Sequence, residues 1–318
     1  MSTLKPHDIL IFGATGSIGS YIAEAIINAK ENFGKIGVFT SPGTNEAKRP
    51  EIQALKDQGA EIIVGNIDSE DDIKNAYSNY DTIVSSLGRA VIQKQIFLLQ
   101  LAEASKTINY FLPSEYGTDI EFNTTSSPHE KPHQQKLAVR RYIRDEVRRL
   151  TYIYVVTGPY SEFYLTAPNA RLPALGGFDP KAKKAVLLGD GEGKVAFTSM
   201  ADTGKLVVAA LKNAEAAAGK ALKVNSFTAT PKEILAEFEK QTGGGKWDVE
   251  FTGLEELKRL ESEAWEKGEP LATAFTLRRI WTEGGTLYPG DGRDNGIIGE
   301  PEMETLEEQV AKSVSAAK

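Results

Sequence analysis

The stretch from Asp8 to Ile26, DILIFGATGSIGSYIAEAI, limits the fold more than any other part of this chain. Ile9, Leu10, Ile11 and Phe12 form an unbroken apolar run, as expected of a strand covered on both faces in a parallel sheet. Glycines follow at Gly13, Gly16 and Gly19. Beyond them Ile18, Ile22, Ala25, Ile26 and Ala29 recur at three- and four-residue spacing, the stripe of a helix packed on a sheet. Strand, glycine turn and helix start together make a phosphate cradle. Glycines let backbone N–H groups approach a pyrophosphate, and the helix end favours its negative charge. The spacing G-x-x-G-x-x-G is one residue wider at the front than the common dinucleotide fingerprint. In this context it predicts a dinucleotide site contacted by Gly13, Thr15, Gly16, Ser17, Ile18 and Gly19. The alternative is a tight strand-to-helix turn without a ligand.

Strand-like runs recur at 8–12, 35–40, 60–64, 81–86, 107–112 and 151–157. Helix-like segments lie between them at 17–29, 51–58, 69–79, 90–105 and 134–150, the third opened by a capping-box pattern at Ser69 and Asp72. Alternation of this kind gives right-handed crossovers and a doubly wound parallel sheet, an α/β Rossmann architecture. Ligands in such sheets lie at the carboxyl edge of the strands. Five segments reach that edge: the glycine turn, Thr40-Ser41-Pro42-Gly43, Gly65-Asn66-Ile67-Asp68, Ser85-Ser86-Leu87-Gly88 and Pro113-Ser114-Glu115-Tyr116-Gly117. Ser86, Leu87, Gly88 and Ser114 are expected to border the ribose and nicotinamide side.

After Thr157 the composition changes to an aromatic segment, Gly158-Pro159-Tyr160-Ser161-Glu162-Phe163-Tyr164, and then a Pro/Gly-rich passage. Short strands are expected at 185–188 and 194–198, joined by the turn Gly189-Asp190-Gly191, and a further strand at 222–226. Helices are expected over 202–210, 254–266, 271–281 and 302–316, and from a capping box at Thr230 and Glu233 to Thr242. The segment 284–301 reads as a glycine-rich loop. These features suggest a nucleotide-binding domain over 1–158, with the sheet returning around 194–228, and a mainly substrate-binding α+β portion over 159–318.

With 318 residues the chain suits one large domain or two coupled ones. It has no cysteine, which excludes thiol catalysis, disulfides and thiolate metal sites; with only three histidines, no metal is expected. A net charge of −7 argues against a nucleic-acid surface. No run approaches the length of a signal peptide core or a membrane span, so the expectation is a cytoplasmic protein without a membrane partner, monomeric or homodimeric.

An Asp or Glu at the end of the second strand usually holds the ribose of NAD. Here the position is Thr40, followed by Ser41, with Lys48 and Arg49 nearby. Hydroxyls and basic groups suit a 2′-phosphate, so NADP(H) is expected over NAD(H). None of the tyrosines has a lysine four residues on, so the Tyr-x-x-x-Lys proton-transfer pair of many short-chain reductases is absent.

The GATGSIG turn, FLPSEYG after the fifth strand and HQQKLAVRRYI on the next helix resemble the NmrA-like, isoflavone-reductase-like family of atypical short-chain reductases over roughly the first 230 residues. The resemblance implies a Rossmann domain with a smaller substrate domain, NADPH as hydride donor and a small aromatic or phenolic substrate. It also implies a catalytic lysine three residues before the apolar residue of the V-R-R run, which is Lys136 before Val139-Arg140-Arg141. Two departures stand out. Plant members often carry arginine where this chain has Thr40, and a tyrosine used by some members is Phe163 here. Tyr160 is assigned to the cofactor; it and Phe163 could stack on nicotinamide or substrate, or be core aromatics. Glu115 and Tyr116 are the remaining substrate candidates, although a structural role in the loop suits Glu115 better. His129 and His133 are expected in a polar surface loop, with a proton relay as the alternative. The family also contains non-catalytic NADP-sensing regulators, the competing reading to an NADPH-dependent oxidoreductase.

Overall fold

Alternate side chains of the first strand, β1 (Ile9–Phe12), enter two different cores. Ile9 and Ile11 pack on one face of the sheet with Ile22, Ile26, Leu206 and Val207, while Leu10 and Phe12 pack on the other with Tyr77, Leu98, Phe111 and Val139. This two-sided burial is why the run has no polar alternation. The computed structural model describes residues 5–123, 127–287 and 292–317.

The strands β2 (Ile36–Thr40), β3 (Glu61–Val64), β4 (Thr82–Ser85), β5 (Tyr110–Leu112) and β6 (Thr151–Tyr152) join β1 in a sheet of order β3-β2-β1-β4-β5-β6. Every pairing in it is parallel, with Ile9 opposite both Ile36 and Thr82. The chain order reverses between β1 and β4, which opens a crevice at their carboxyl ends. The run expected at 151–157 is divided at Ile153. β6 pairs with β5, and β7 (Tyr154–Val156) pairs in parallel with β11 (Ala221–Lys223).

The helices on this sheet are α1 (Gly19–Asn28), α2 (Pro42–Ala47), α3 (Arg49–Asp57), α4 (Glu70–Tyr77), α5 (Gln95–Ala104) and α6 (Lys131–Glu146). α2 has no counterpart in the sequence reading because none of its residues is buried and it carries no apolar stripe. Ser69 caps α4 through the Asp72 N–H, but the Asp72 carboxylate accepts from the Asn66 N–H and does not complete a capping box. α6 starts three residues before the expected 134 and ends four before 150, where Val147 turns extended.

A third core gathers Phe178, Phe197, Phe238, Trp247, Leu257 and Phe275. Its elements are α7 (Ser161–Tyr164), β8 (Gly177–Asp179), β9 (Lys184–Leu188), β10 (Val195–Phe197), β12 (Phe227–Ala229), α10 (Pro231–Gln241), β13 (Asp248–Thr252), α11 (Leu254–Glu266), α12 (Ala272–Thr282) and α13 (Leu306–Ala316), whereas α8 (Met200–Lys212), against α1, and α9 (Ala214–Ala217) join the core on the Ile9 and Ile11 face of the sheet. The reciprocal cap of Thr230 and Glu233 opens α10 as expected. The expected turn Gly189-Asp190-Gly191 joins β9 to β10, with the Gly191 N–H donating to the Leu188 carbonyl at 3.2 Å, but the two strands do not pair with each other. Both edges of β9 are occupied, by β8 and β13, so β10 leaves to pair with β12. Part of the expected 284–301 loop is a short 3-10 turn at Asn295–Ile298, and residues 288–291 lie outside the described ones. Among the described residues no helix is long and apolar enough to cross a membrane.

Candidate active site

The glycine turn sits where β1 hands the chain to α1, and two of its glycines are sterically required. Gly13 has φ +80°, and a Cβ there would lie 2.5 Å from the Ser86 carbonyl oxygen. A Cβ on Gly19 would lie 2.0 Å from the Gly13 carbonyl oxygen. Gly16 and Ser17 are exposed, and the Gly16 N–H closes the turn on the Gly13 carbonyl at 3.0 Å. The N–H groups of Ser17, Ile18 and Gly19 find no backbone acceptor among the described residues. They are therefore available to an anion at the start of a ten-residue helix.

Lys48 reaches across this turn, and its Nζ donates to the Thr15 carbonyl. Arg49 is exposed at the start of α3. The Ser41 hydroxyl is already engaged as the α2 cap, accepting from the Thr44 N–H at 3.1 Å. Thr40 and Ser85, at the ends of β2 and β4, have buried hydroxyls with no hydrogen-bond partner. Buried hydroxyls without partners are uncommon in finished sites. Two of them flanking an open N–H cradle match a polyhydroxylated, phosphorylated ligand in this crevice.

On the far side of the crevice Ser114 ties two loops together. Its N–H donates to Gln95 Oε1 and its hydroxyl to the Leu87 carbonyl. Leu87 is buried and Gly88 exposed, so this tie presents the Gly88 backbone at the surface. Tyr116 and Ser86 are buried side by side; their hydroxyls feel each other, but neither makes a hydrogen bond of normal geometry. Burial pushes the Tyr116 hydroxyl pKa up, and that of Tyr160 as well. The Tyr160 hydroxyl donates to the Tyr116 carbonyl, which docks α7 on the loop after β5. Phe163, with its ring edge-on to Tyr160 at a centroid distance of 6.0 Å, is 57% exposed.

Lys136 lies in the second turn of α6 and is half-buried. Its Nζ donates to the Glu115 carbonyl and comes within 3.7 Å of where a Cβ on Gly117 would stand. Burial holds the Lys136 pKa below the ordinary lysine value; Glu115 opposes the shift, while Arg140 and Arg89 add to it. Glu115 is not free to face a ligand as one reading of the sequence allowed. Both its carboxylate oxygens accept from Arg140 at 3.0 Å, and the pair is 1% exposed on each side. Arg140 also reaches Asp119 at 3.3 Å and Glu121 at 2.9 Å, with its guanidinium over the Tyr154 ring.

Three groups near Lys136 were not singled out by the sequence. Arg89, the residue after Gly88, pairs at 2.5 Å with the buried Glu130, and the Thr273 hydroxyl donates to the other Glu130 oxygen at 2.6 Å. This links the loop after β4, the start of α6 and the start of α12. A lone basic residue after the fourth strand was the available signal for Arg89; Glu130 and Thr273 had none. His129 is exposed, as expected for a polar loop. His133 is not: it is buried, with Nδ1 2.9 Å from the Ser127 hydroxyl. It is the first buried position of α6, ahead of Val139, Arg140 and Ile143.

Burial, with Lys136 and Arg89 nearby, lowers the His133 pKa from 6.5 to about 3. The unfolded chain then binds the extra proton between those values, so stability falls as pH drops through that window, by up to about 1.4 kcal/mol per pH unit. Between pH 7 and pH 4.5 the native chain should lose roughly 2 kcal/mol more than a His133→Gln variant, read from urea midpoints. Equal losses would show that this ring carries no such linkage.

A family model, the NmrA-like family, matches residues 5–274. The chain belongs to the NmrA-like family. Among NmrA-like relatives it is similar to an isoflavone reductase of Pisum sativum, 29% identical over 250 residues that cover 74% of this chain and 76% of that protein. It is also similar to the phenylcoumaran benzylic ether reductase PT1 of Pinus taeda, 27% identical over 234 residues, 73% and 74% of the two chains. Among solved structures, the binary complex of leucoanthocyanidin reductase with NADPH from Vitis vinifera superposes with a TM-score of 0.80 over 97% of this chain and 99% of that one. Its 22% identity makes that a likeness of fold. The fold of that reductase is therefore shared over 97% of this chain, beyond the stretch that the family model matches.

Proposed function

We propose that this chain is an NADP(H)-dependent oxidoreductase that reduces an aromatic or phenolic small molecule, with Lys136 handling the proton. The observation that carries the reading is the position of Lys136. A half-buried ammonium with a depressed pKa is held at the carboxyl edge of β5, in the loop layer that also borders the glycine turn. The nicotinamide of bound NADPH supplies a hydride to an electrophilic carbon. The chain's own part is binding, orientation and proton handling.

In this reading Gly13, Gly16 and Gly19 shape the cradle, and the N–H groups of Ser17, Ile18 and Gly19 hold the paired phosphates. Thr15, Thr40 and Ser85 lie along the nucleotide, and Lys48 turns from the Thr15 carbonyl to the 2′-phosphate. Ser86, Leu87, Gly88, Ser114 and Tyr160 frame the ribose and nicotinamide end. Ser41 contributes its backbone position, because its hydroxyl is committed to the α2 cap. Lys136, whose pKa burial holds below the ordinary lysine value, takes or relays a proton at a substrate oxygen. Phe163, exposed beside Tyr160, offers the aromatic face against which a planar substrate stacks, whereas Tyr116, named as a substrate candidate from the sequence, is buried and packs inside the loop after β5.

The test has two parts. Titrations should give a dissociation constant for NADPH at least about tenfold below that for NADH, with Lys48→Glu abolishing the difference, since one phosphate-to-ammonium contact is of that order. NADPH oxidation should then be followed across aromatic ketones, enones and benzylic ethers. Preference for NADH would overturn the cofactor assignment. Tight NADPH binding with no oxidation of any of these would point to a nucleotide-sensing regulator instead.

A further inference from the structure

We propose that Arg278 binds a carboxylate carried by the aromatic substrate, so that this site selects an anionic aromatic molecule over its neutral ester. The proposal rests on the reading of the site as a phenolic-substrate site. Arg278, on α12, is held in place on three sides. Its guanidinium lies 4.3 Å from the Tyr164 ring centroid and 5.5 Å from that of Trp281, and Nη2 donates to the Phe163 carbonyl at 3.0 Å. Nη1 is buried and has no hydrogen-bond partner.

Among the described residues no carboxylate lies within ion-pair distance of Arg278, although its neighbour Arg279 is tied to both Glu261 and Glu283. A chain with 44 acidic residues has no shortage of partners to offer. A fixed, buried donor on a cation is costly unless an acceptor arrives, so its acceptor is best supplied from outside. The guanidinium fork matches a carboxylate better than a single phenolic oxygen.

The surroundings place this donor on the substrate wall. Arg278 holds the Phe163 carbonyl, and the Phe163 ring itself is exposed. The same short helix is docked through the Tyr160 hydroxyl on the Tyr116 carbonyl, one residue from the carbonyl that accepts from Lys136. Trp281, which flanks Arg278, donates to the Thr118 hydroxyl at 2.9 Å and so reaches the same loop. An open aromatic face with a preset guanidinium beside it fits a ring that bears a carboxylate.

The test measures binding, not turnover. 4-Hydroxycinnamate and its methyl ester are titrated by calorimetry into the full chain saturated with NADP+. The acid is expected to bind at least about tenfold more tightly than the ester, the scale of one charge-assisted contact, and the preference should shrink as KCl is raised. Arg278→Gln should lower the acid's affinity to that of the ester, and Arg278→Lys should keep part of the preference. Equal binding of acid and ester by the native chain, binding of neither, or a preference that survives in Arg278→Gln overturns the proposal. Should Arg278→Gln fail to fold, the native salt dependence and Arg278→Lys decide it. Failure of the reductase reading looks different: an acid preference that persists with no NADPH oxidation sinks that reading alone, whereas reduction of neutral ketones without an acid preference sinks this one alone.

Discussion

Lys136→Ala is expected to lower turnover by about 10²- to 10⁴-fold, the usual contribution of a positioned acid or base, while the dissociation constant for NADPH stays within a few-fold of native. The two readouts separate because Lys136 anchors on the Glu115 carbonyl after β5, whereas the phosphate cradle is built from the turn after β1. The acid limb of the native kcat profile should follow the depressed Lys136 pKa and so lie below the ordinary lysine range, and it should disappear in the variant. Lys136→Arg keeps the charge but cannot give up its proton near neutrality, so it should also be nearly inactive. Full activity of Lys136→Ala would remove the amine from the reaction. Activity restored by arginine would limit its role to electrostatics.

Arg140→Met should destabilise the fold by about 3–5 kcal/mol, the scale for breaking a buried ion pair from one side. The Glu115 carboxylate would lose both of its Arg140 hydrogen bonds at 1% exposure, while Asp119 would keep the Glu121 N–H at 3.1 Å and the more distant Lys223 at 3.5 Å. The measurement is the urea midpoint at neutral pH, and a loss below about 1 kcal/mol would mean that the carboxylate finds water or a proton instead. Turnover should fall with stability, because the Glu115 loop that Arg140 pins also presents the carbonyl that holds Lys136. Arg140→Lys should recover part of the stability, since it keeps the charge without the two-pronged geometry.

Much of the nucleotide half was legible along the chain. The apolar run Ile9–Phe12 could only be a strand covered on both faces, and the positions of Gly13 and Gly19 are enforced by backbone contacts closer than a Cβ permits. The capping pair at Thr230 and Glu233 marked α10 for the same reason: its hydrogen bonds close over three residues. Legibility failed where no periodic burial existed, as for α2, or where partner choice was distant, as for β9 between β8 and β13. His133 shows a third kind of failure. Its type suggested solvent, and only the packing of α6 decided that it is buried.

The sequence by itself determined the alternation of strands and helices, the glycine turn and the placing of Lys136 ahead of Val139-Arg140-Arg141, because each depends on spacing within one or two turns of chain. Tertiary structure alone decided which charges meet. Arg140 joins Glu115 across a 25-residue separation, and Arg278 reaches the Phe163 carbonyl across 115. Such pairings carry no periodic signal; they follow from which loops the parallel crossovers bring to the same edge of the sheet.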